Sequence, residues 1–352
     1  MPPHSHSQSA LESAVDLLDR GERLDDAATE AAFVEIMSGA APEALIERLL
    51  LALRSRGESA DHVAGAVRAL RQAMLRVAHS APESLVDTCG TGGGVITTIN
   101  VSTAAAFVAA GAGATIAKHG NRSYTSRSGS ADVLEALGIA IDVAPDAAAT
   151  ILIAARLVFL FAPAYHPAMR HVGPARRRIK GPTLMNLVGP LANPASAGRQ
   201  VVGVADRARG PILAGALARL GVTHGLVVHA EIGMDEISPV GKTAIWEVRG
   251  DSVREWTFDP GLAGMSTPSL DGLEGGEPGE NAARIAHLFE SPREAAPALR
   301  AAVILNAAAA AYVGGLAATL EDGIGVAMKA LDSGSARERL EALRKAAPAK
   351  PA

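Results

Sequence analysis

The chain has 352 residues, of which 48% are apolar and 20% charged, so it favours two folded domains, or one large α/β domain with an appendage, over disorder. Aromatic residues make up only 3%, and 33 basic side chains stand against 37 acidic ones, which argues against nucleic-acid binding. The single cysteine, Cys89, excludes an internal disulfide and any multi-cysteine metal site. The polar start, Met1–Gln8, lacks a secretion signal, so we expect a cytoplasmic protein.

The first part of the chain, residues 1–80, is predicted to be a small all-α domain. Ser9 and Glu12 have the spacing of a helix capping box, and Gly57 stands where a helix would end. Apolar residues from Val63 to Met74 recur at the spacing of one helix face. No alternation typical of a strand is present in this region.

Residues 81–167 and 193–352 are predicted to form a larger α/β domain with a mainly parallel central sheet. Strand candidates alternate with alanine-rich helical segments, which is typical of parallel strands joined by helices. The strand candidates are Leu85–Thr88, Thr115–Ala117, Leu157–Phe161, Gln200–Val204, Leu226–His229 and Ala244–Val248. Residues 168–192, dense in proline, glycine and arginine, are expected to join the helical domain or the hinge.

An uncharged stretch, Ala301–Leu320, is long enough to cross a bilayer. Nine of its 20 residues are alanine, and it contains Asn306, Tyr312 and Gly314-Gly315, so it is only weakly apolar. We therefore predict a buried helix and no membrane association.

A glycine-rich turn, Gly90-Thr91-Gly92-Gly93-Gly94, directly follows the first strand candidate. Glycines permit positive φ angles and allow backbone N–H groups to approach an anion, although a plain tight loop has the same composition. The helix beyond begins near Asn100-Val101-Ser102-Thr103, where hydroxyl groups serve as N-caps or help to bind an anion.

A second polar cluster, Lys118-His119-Gly120-Asn121-Arg122, follows the second strand candidate. Parallel sheets place ligands beyond the carboxyl ends of their strands, although a solvated basic patch is the alternative. Hydroxyl residues surround Arg127 in the next turn, before a helix begins near Gly129. Hydroxyl, amide and basic groups at three such turns indicate a site for a polyphosphorylated sugar.

Two further clusters carry charge. Arg170–Lys180 is basic, and one of its arginines could hold a carboxylate through paired hydrogen bonds while the others form an ordinary helix face. Asp235 and Glu236 are adjacent carboxylates on a loop, which suit Mg²⁺ or an exposed turn.

Taken together, these residues resemble the anthranilate phosphoribosyltransferase family over nearly the whole chain. The resemblance implies a helical domain plus an α/β domain, an active site in the hinge cleft and a homodimer. It also implies transfer of phosphoribose from phosphoribosyl diphosphate to the amine of anthranilate, with release of pyrophosphate, in tryptophan biosynthesis. The matching segments are Gly90–Gly93, Asn100–Thr103, Lys118–Arg122, Gly129–Gly138, His171–Arg176, Asn186–Pro194 and Asp235–Ser238.

The same resemblance implies roles for individual residues. Anthranilate would meet Gly90, Asn121 and Arg176, and Mg²⁺, two ions per subunit, would be held by Ser102, Asp235 and Glu236. His119 and His166, with Asn121 and Arg176, are candidates for orienting the reactants, and none is a certain catalytic group. The residues implied to bind phosphoribosyl diphosphate are Gly90, Gly93, Gly94, Thr98, Asn100, Val101, Ser102, Thr103, Lys118, His119, Gly120, Asn121, Arg122, Ser123, Tyr124, Thr125, Ser126 and Ser130.

Some residues depart from the family pattern. Gly94 stands where the family usually has Asp, and Pro182 stands where an Arg usually precedes Thr183. Tyr124 and Thr125 replace smaller residues. Two alternatives remain open: an enzyme similar to pyrimidine nucleoside phosphorylase, and a non-catalytic relative that binds nucleic acid.

Overall fold

The computed structural model describes residues 8–123 and 127–349, which contain fifteen α-helices and seven strands. In chain order they are α1 (Ala10–Asp19), α2 (Asp26–Ser38), α3 (Glu43–Arg56), α4 (Ala60–Ala73), β1 (Val86–Gly90), α5 (Val101–Gly111), β2 (Ile116–Gly120), α6 (Ser130–Ala136), α7 (Pro145–Ala155), β3 (Leu157–Phe161), α8 (Ala162–Tyr165), α9 (Gly173–Ile179), α10 (Met185–Leu191), β4 (Arg199–Gly203), α11 (Gly210–Arg219), β5 (His224–Ala230), β6 (Thr243–Arg249), β7 (Ser252–Phe258), α12 (Pro278–Glu290), α13 (Pro297–Val313), α14 (Leu320–Asp332) and α15 (Ser335–Ala346).

One compact unit consists of residues 8–75 together with His166–Ala192, and its regular elements within these residues are all helices. The predicted capping box of α1 is confirmed, because Ser9 and Glu12 each accept a hydrogen bond from the other's backbone N–H. Helices α2 and α4 pack closely at Gly65, where a Cβ would lie 2.9 Å from the backbone nitrogen of Glu30. Arg68 of α4 then pairs with the carboxylates of Asp26 and Glu30 on α2.

The second compact unit, Arg76–Tyr165 with the residues from Asn193 onward, is built on one seven-stranded sheet. The strand order is β3-β2-β1-β4-β5-β6-β7; the first five strands are parallel, and β6 and β7 are antiparallel. The predicted mainly parallel sheet and the six strand candidates are therefore confirmed, within a few residues at their ends.

The core of this unit surrounds α5 and α13. Almost every side chain of both helices is buried, and Phe107 of α5 meets Phe289 of α12 edge to face with ring centroids 5.8 Å apart. The uncharged stretch from Ala301 is a buried helix as predicted, but the helix ends at Val313 rather than continuing to Leu320. Within the described residues, no helix is both long enough and apolar enough to cross a membrane.

Strand β7 was missed by the sequence analysis. Most of its residues are exposed, and only Phe258 at its end is buried. Because the strand lies at the edge of the sheet, its sequence, SVREWTF, carries too few apolar residues to show the alternation by which strands are recognised.

Candidate functional site

The predicted site residues of the α/β unit gather at the carboxyl edge of the parallel strands. Strand β1 lies between β2 and β4, so the chain's strand order reverses beside it. Such a reversal opens a crevice above the sheet, where ligands bind in open α/β folds. Gly90 ends β1 and pairs with Gly203 at the end of β4, while Gly120 ends β2. The turns that follow β1, β2 and β4 therefore begin at the same edge of the sheet.

A buried lysine stands under this edge. Lys118 of β2 donates through Nζ to the carbonyl oxygen of Thr88 on β1, and to the hydroxyl oxygen of Ser102 on α5 over 3.3 Å. Burial lowers the pKa of Lys118, and the Asp87 carboxylate counteracts that effect. The ammonium group is thus held between β1 and the start of α5 and does not extend into solvent.

Below the lysine, the fully buried Asp87 holds neighbouring segments together. One carboxylate oxygen accepts the backbone N–H of His119 over 3.0 Å, and the other accepts the side-chain amide of Asn193 over 2.8 Å. Burial raises the pKa of Asp87 to about 6. The side chain of His119 is itself buried. Asp87 therefore fixes the backbone of the second polar cluster at His119.

The start of α5 differs from the sequence prediction in one respect. The helix begins at Val101, so Ser102 and Thr103 lie inside its first turn instead of capping it. Asn100, at the N-cap position, makes no side-chain bond to its own helix. Its amide instead donates to the Ser128 carbonyl oxygen over 3.1 Å and accepts from Asn281 over 3.1 Å. The first turn of the helix is therefore tied to the loop before α6.

The glycine-rich turn after β1 has the backbone that was predicted. Gly92 and Gly93 both have positive φ angles, 64° and 82°, which few other residues adopt. Gly90 and Gly94 have another role: an added Cβ would lie 3.4 Å and 3.2 Å, respectively, from the two carboxylate oxygens of Asp235. These two glycines thus leave room for an acidic side chain.

Asp235 and Glu236 lie in the loop of residues 231–242 between β5 and β6, called the carboxylate loop below. Thr98 donates its hydroxyl proton to Glu236 over 3.3 Å. Burial raises the pKa of both carboxyl groups, and the Asp235 carboxylate raises that of Glu236 further. Ionising both acids side by side is costly, and a cation bound beside them would lower that cost.

This donor set fits Mg²⁺. Carboxylate and hydroxyl oxygens are the ligands that Mg²⁺ prefers, and the ion commonly keeps waters and binds phosphate oxygens as well. Among the described residues, no group of three or more His, Cys, Asp and Glu side chains could hold a metal. Two carboxylates with Ser102 match an ion whose remaining ligands are waters and phosphate oxygens of a substrate.

The turn after β2 is organised around Asp132. Its carboxylate accepts the backbone N–H groups of Ser123, over 3.3 Å, and of Gly129, over 2.8 Å. Arg122 pairs with Asp132 and Glu135, over 2.7 and 2.6 Å, so its guanidinium already lies against α6. Ser130 donates its hydroxyl proton to the carbonyl oxygen of Asn121. Tyr124, Thr125 and Ser126, which were also predicted to bind the sugar diphosphate, lie outside the described residues.

His166 and Arg176 belong to the helical unit. Burial lowers the pKa of His166 to about 4, so the imidazole is neutral near pH 7 and is a weak base. Arg176 lies on α9 and is partly exposed. Its neighbour Arg178 pairs with Glu43 and Glu47 of α3, over 2.8 and 2.7 Å, and thus belongs to an ordinary helix face.

Comparison with known proteins supplies the family. A family model described as the α/β domain of a glycosyl transferase family matches residues 82–337, and the model of that family's helical bundle domain matches residues 13–74. The chain is 46% identical over 321 residues to an anthranilate phosphoribosyltransferase of Maricaulis maris and 47% identical to one of Rubrobacter xylanophilus. Each alignment covers 91% of this chain and 93% of the relative. The chain belongs to the anthranilate phosphoribosyltransferase family.

Solved structures of anthranilate phosphoribosyltransferases share the fold. The crystal structure of the Thermus thermophilus protein has a TM-score of 0.86 and 38% identity, covering 94% of this chain and 99% of that one. The Saccharomyces cerevisiae protein in complex with PRPP and Mg has a TM-score of 0.86 and 26% identity, covering 97% and 99%. A helical bundle followed by an α/β domain with a mainly parallel sheet is thus the architecture of both, as the sequence predicted.

Several residues that shape the site were not found by sequence analysis. Asn306 was noted only as a polar interruption of an apolar helix, yet its side chain holds the backbone of Ile237 beside Glu236. Asn281 bonds to Asn100 from a distant part of the chain. Gly203 leaves space for the backbone of Asp235. None lies in a polar cluster, so only the tertiary structure reveals them.

Proposed function

We propose that this chain transfers the phosphoribosyl group from phosphoribosyl diphosphate to the amine of anthranilate, releasing pyrophosphate. The observation that carries the proposal is the meeting of a buried lysine, a helix N-terminus and a carboxylate pair at the carboxyl edge of the sheet. Membership of the family supports the choice of substrates. The Saccharomyces cerevisiae relatives were solved with PRPP and Mg and with 4-fluoroanthranilate.

In this proposal, phosphoribosyl diphosphate binds across three segments: the turn after β1, the start of α5 and the turn after β2. Lys118 and the N-terminus of α5 supply positive charge, and Gly92 and Gly93 expose backbone N–H groups. Negative charge accumulates on the leaving pyrophosphate as the bond to ribose breaks. Groups already fixed in place stabilise that charge without reorganising during the reaction.

The residues proposed to hold Mg²⁺ are Ser102, Asp235 and Glu236, with two ions in each subunit. When bound, the metal supplies charge neutralisation for the pyrophosphate group. The protein's part is to keep the two carboxylates together at the edge of the sheet, with Thr98 bonded to Glu236. Burial raises the pKa of both carboxyl groups, and a cation bound between them would favour their ionised forms.

Anthranilate is proposed to bind through Arg176, with Gly90 and Asn121 completing its site. A guanidinium can hold the carboxylate through two parallel hydrogen bonds. The aryl amine is nucleophilic when neutral, so alignment with the ribose carbon contributes more than a strong base. A histidine with a pKa near 4 suits orientation better than proton removal, so His166 is assigned an orienting role, as is His119.

We further propose that the protein acts as a homodimer in the cytoplasm. The single cysteine fits a reducing compartment. Size-exclusion chromatography with light scattering measures the assembly directly, and a mass near 36 kDa, the mass of one chain, would contradict the dimer.

The activity is tested by following anthranilate fluorescence with phosphoribosyl diphosphate and Mg²⁺. We expect the fluorescence to fall with time and one pyrophosphate to appear for each anthranilate consumed. Mixtures without Mg²⁺, or with ribose 5-phosphate in place of the diphosphate, serve as controls. Persistent fluorescence with saturating substrates would contradict the proposal, and phosphorolysis of pyrimidine nucleosides instead would favour the phosphorylase alternative.

A further inference from the structure

A buried side chain of the core, that of Asn306, bonds to the backbone of the carboxylate loop. Asn306, on α13, accepts the backbone N–H of Ile237 through its Oδ1 over 3.0 Å. Its Nδ2 donates to the carbonyl oxygen of Ile237 over 2.9 Å, and to that of Ala302 over 2.9 Å. Asn306 is only 5% exposed, so these bonds form away from solvent. The side-chain amide of Asn306 therefore bonds to both the backbone N–H and the backbone C=O of Ile237, as a residue of a neighbouring strand would.

The fastened residue is the one directly after the carboxylate pair. Asn306 also borders the small cavity that Ser102, Asp235 and Glu236 line. Because α13 is buried along nearly its whole length, it is a rigid support, whereas the loop has no helix or strand of its own. The loop backbone is thus bonded to α13 at the residue that follows Glu236.

We propose that Asn306 is a positioning residue that holds Asp235 and Glu236 in the arrangement that binds a divalent cation. The inference rests on the proposed function, in which these carboxylates are metal ligands. Two like charges held side by side repel each other, and a fixed backbone opposes their separation. Groups that orient metal ligands in this way typically change metal affinity by about 10-fold to 100-fold when they are removed.

The test is direct binding of Mn²⁺ in the presence of pyrophosphate, measured by electron paramagnetic resonance without any turnover. Asn306→Leu removes all three hydrogen bonds, and Asn306→Ser keeps a shorter polar group. We expect the Mn²⁺ concentration for half-saturation to rise at least about tenfold for Asn306→Leu and less for Asn306→Ser. In the activity assay the Mg²⁺ requirement rises by a similar factor, while KM for anthranilate changes little.

A matched control separates positioning from general loss of stability. Leu299→Ala creates a cavity seven residues earlier on α13, about 10 Å along the helix, at a buried side chain. We expect this variant to unfold at lower urea concentration and yet to bind Mn²⁺ as the unaltered protein does. If Asn306→Leu binds Mn²⁺ with unaltered affinity, or if Leu299→Ala weakens binding equally, the positioning role is wrong.

The unaltered protein provides a further check that needs no variant. The amide proton of Ile237 bonds to a buried side chain and should exchange with deuterium slowly. Rapid exchange at Ile237 would show that its hydrogen bond to Asn306 is not maintained in solution. Failure of the proposed function has a different signature, because the unaltered protein would then leave anthranilate fluorescence unchanged whatever Mn²⁺ does.

Discussion

Gly203 at the end of β4 is the position where one added methyl group should disturb the carboxylate loop most directly. A Cβ there would lie 2.9 Å from the carbonyl carbon of Asp235 and closer still to its oxygen. Both are backbone atoms, so no side-chain rotation can relieve the overlap. The change Gly203→Ala must therefore move either the end of β4 or the backbone of the loop.

The size of the effect follows from that overlap. The overlap is greatest with the carbonyl oxygen, and ordinary contact begins at about 3.4 Å, so the backbone of Asp235 must move by more than about 1 Å. Overpacking of this kind costs about 1–3 kcal/mol of unfolding free energy. A displacement of roughly 1 Å in a site can reduce the rate about 100-fold. We expect both effects for Gly203→Ala, with the larger one on kcat and on the Mg²⁺ requirement.

The matched control is Gly325→Ala, which makes the same change in the middle of α14, where an added Cβ meets nothing within 4 Å. Alanine is the better helix former, so this variant should be more stable by about 1 kcal/mol and fully active. Urea unfolding and the anthranilate fluorescence assay measure both quantities. Gly203→Ala with unaltered stability and rate would refute the close approach of β4 and the loop.

Three further predictions concern charged side chains. Arg176→Ala should raise KM for anthranilate at least tenfold, whereas Arg178→Ala should not; equal effects in steady-state kinetics would remove the carboxylate role. The double change Asp235→Asn and Glu236→Gln should abolish Mn²⁺ binding yet make the ligand-free protein more resistant to urea, since burial raises the pKa of both acids. Burial alone would raise the pKa of Glu247, but hydrogen bonds lower it to about 2, so its stabilisation is present above about pH 4.5 and is lost as pH falls toward 2. Urea titrations of Glu247→Gln should lack that loss, of about 2 kcal/mol after screening.

The predicted fold came from features that are local in the sequence. Strand β3 and helix α7 have the predicted ends because a β-rich run and a proline at the helix start mark them. The edge strand β7 has no such mark, because half its surface faces solvent and its residues are mostly polar. Sequence periodicity records which face is buried, and it fails where little of an element is buried.

The candidate site was predictable only as far as its residues lie in clusters along the chain. Lys118 and Asp235 were selected because polar residues accumulate beside strand ends. Asn306 could not be selected in that way, because its partner is a peptide group 69 residues away and its neighbours in the sequence are apolar. Arg122 was predictable as a member of a polar cluster, but its ion pairs with Asp132 and Glu135 were not, because no spacing rule assigns them.

The glycines of this site meet two different physical needs, which the sequence does not distinguish. Gly92 and Gly93 are required by their backbone angles, which suits a turn that exposes N–H groups to an anion. Gly90, Gly94 and Gly203 instead leave room for Asp235. The Cβ of an aspartate at position 94 would lie 3.2 Å from a carboxylate oxygen of Asp235, whose pKa is already raised by burial. Because a second carboxylate close to Asp235 would raise that pKa further, glycine at this position leaves Asp235 easier to ionise than a second acid would.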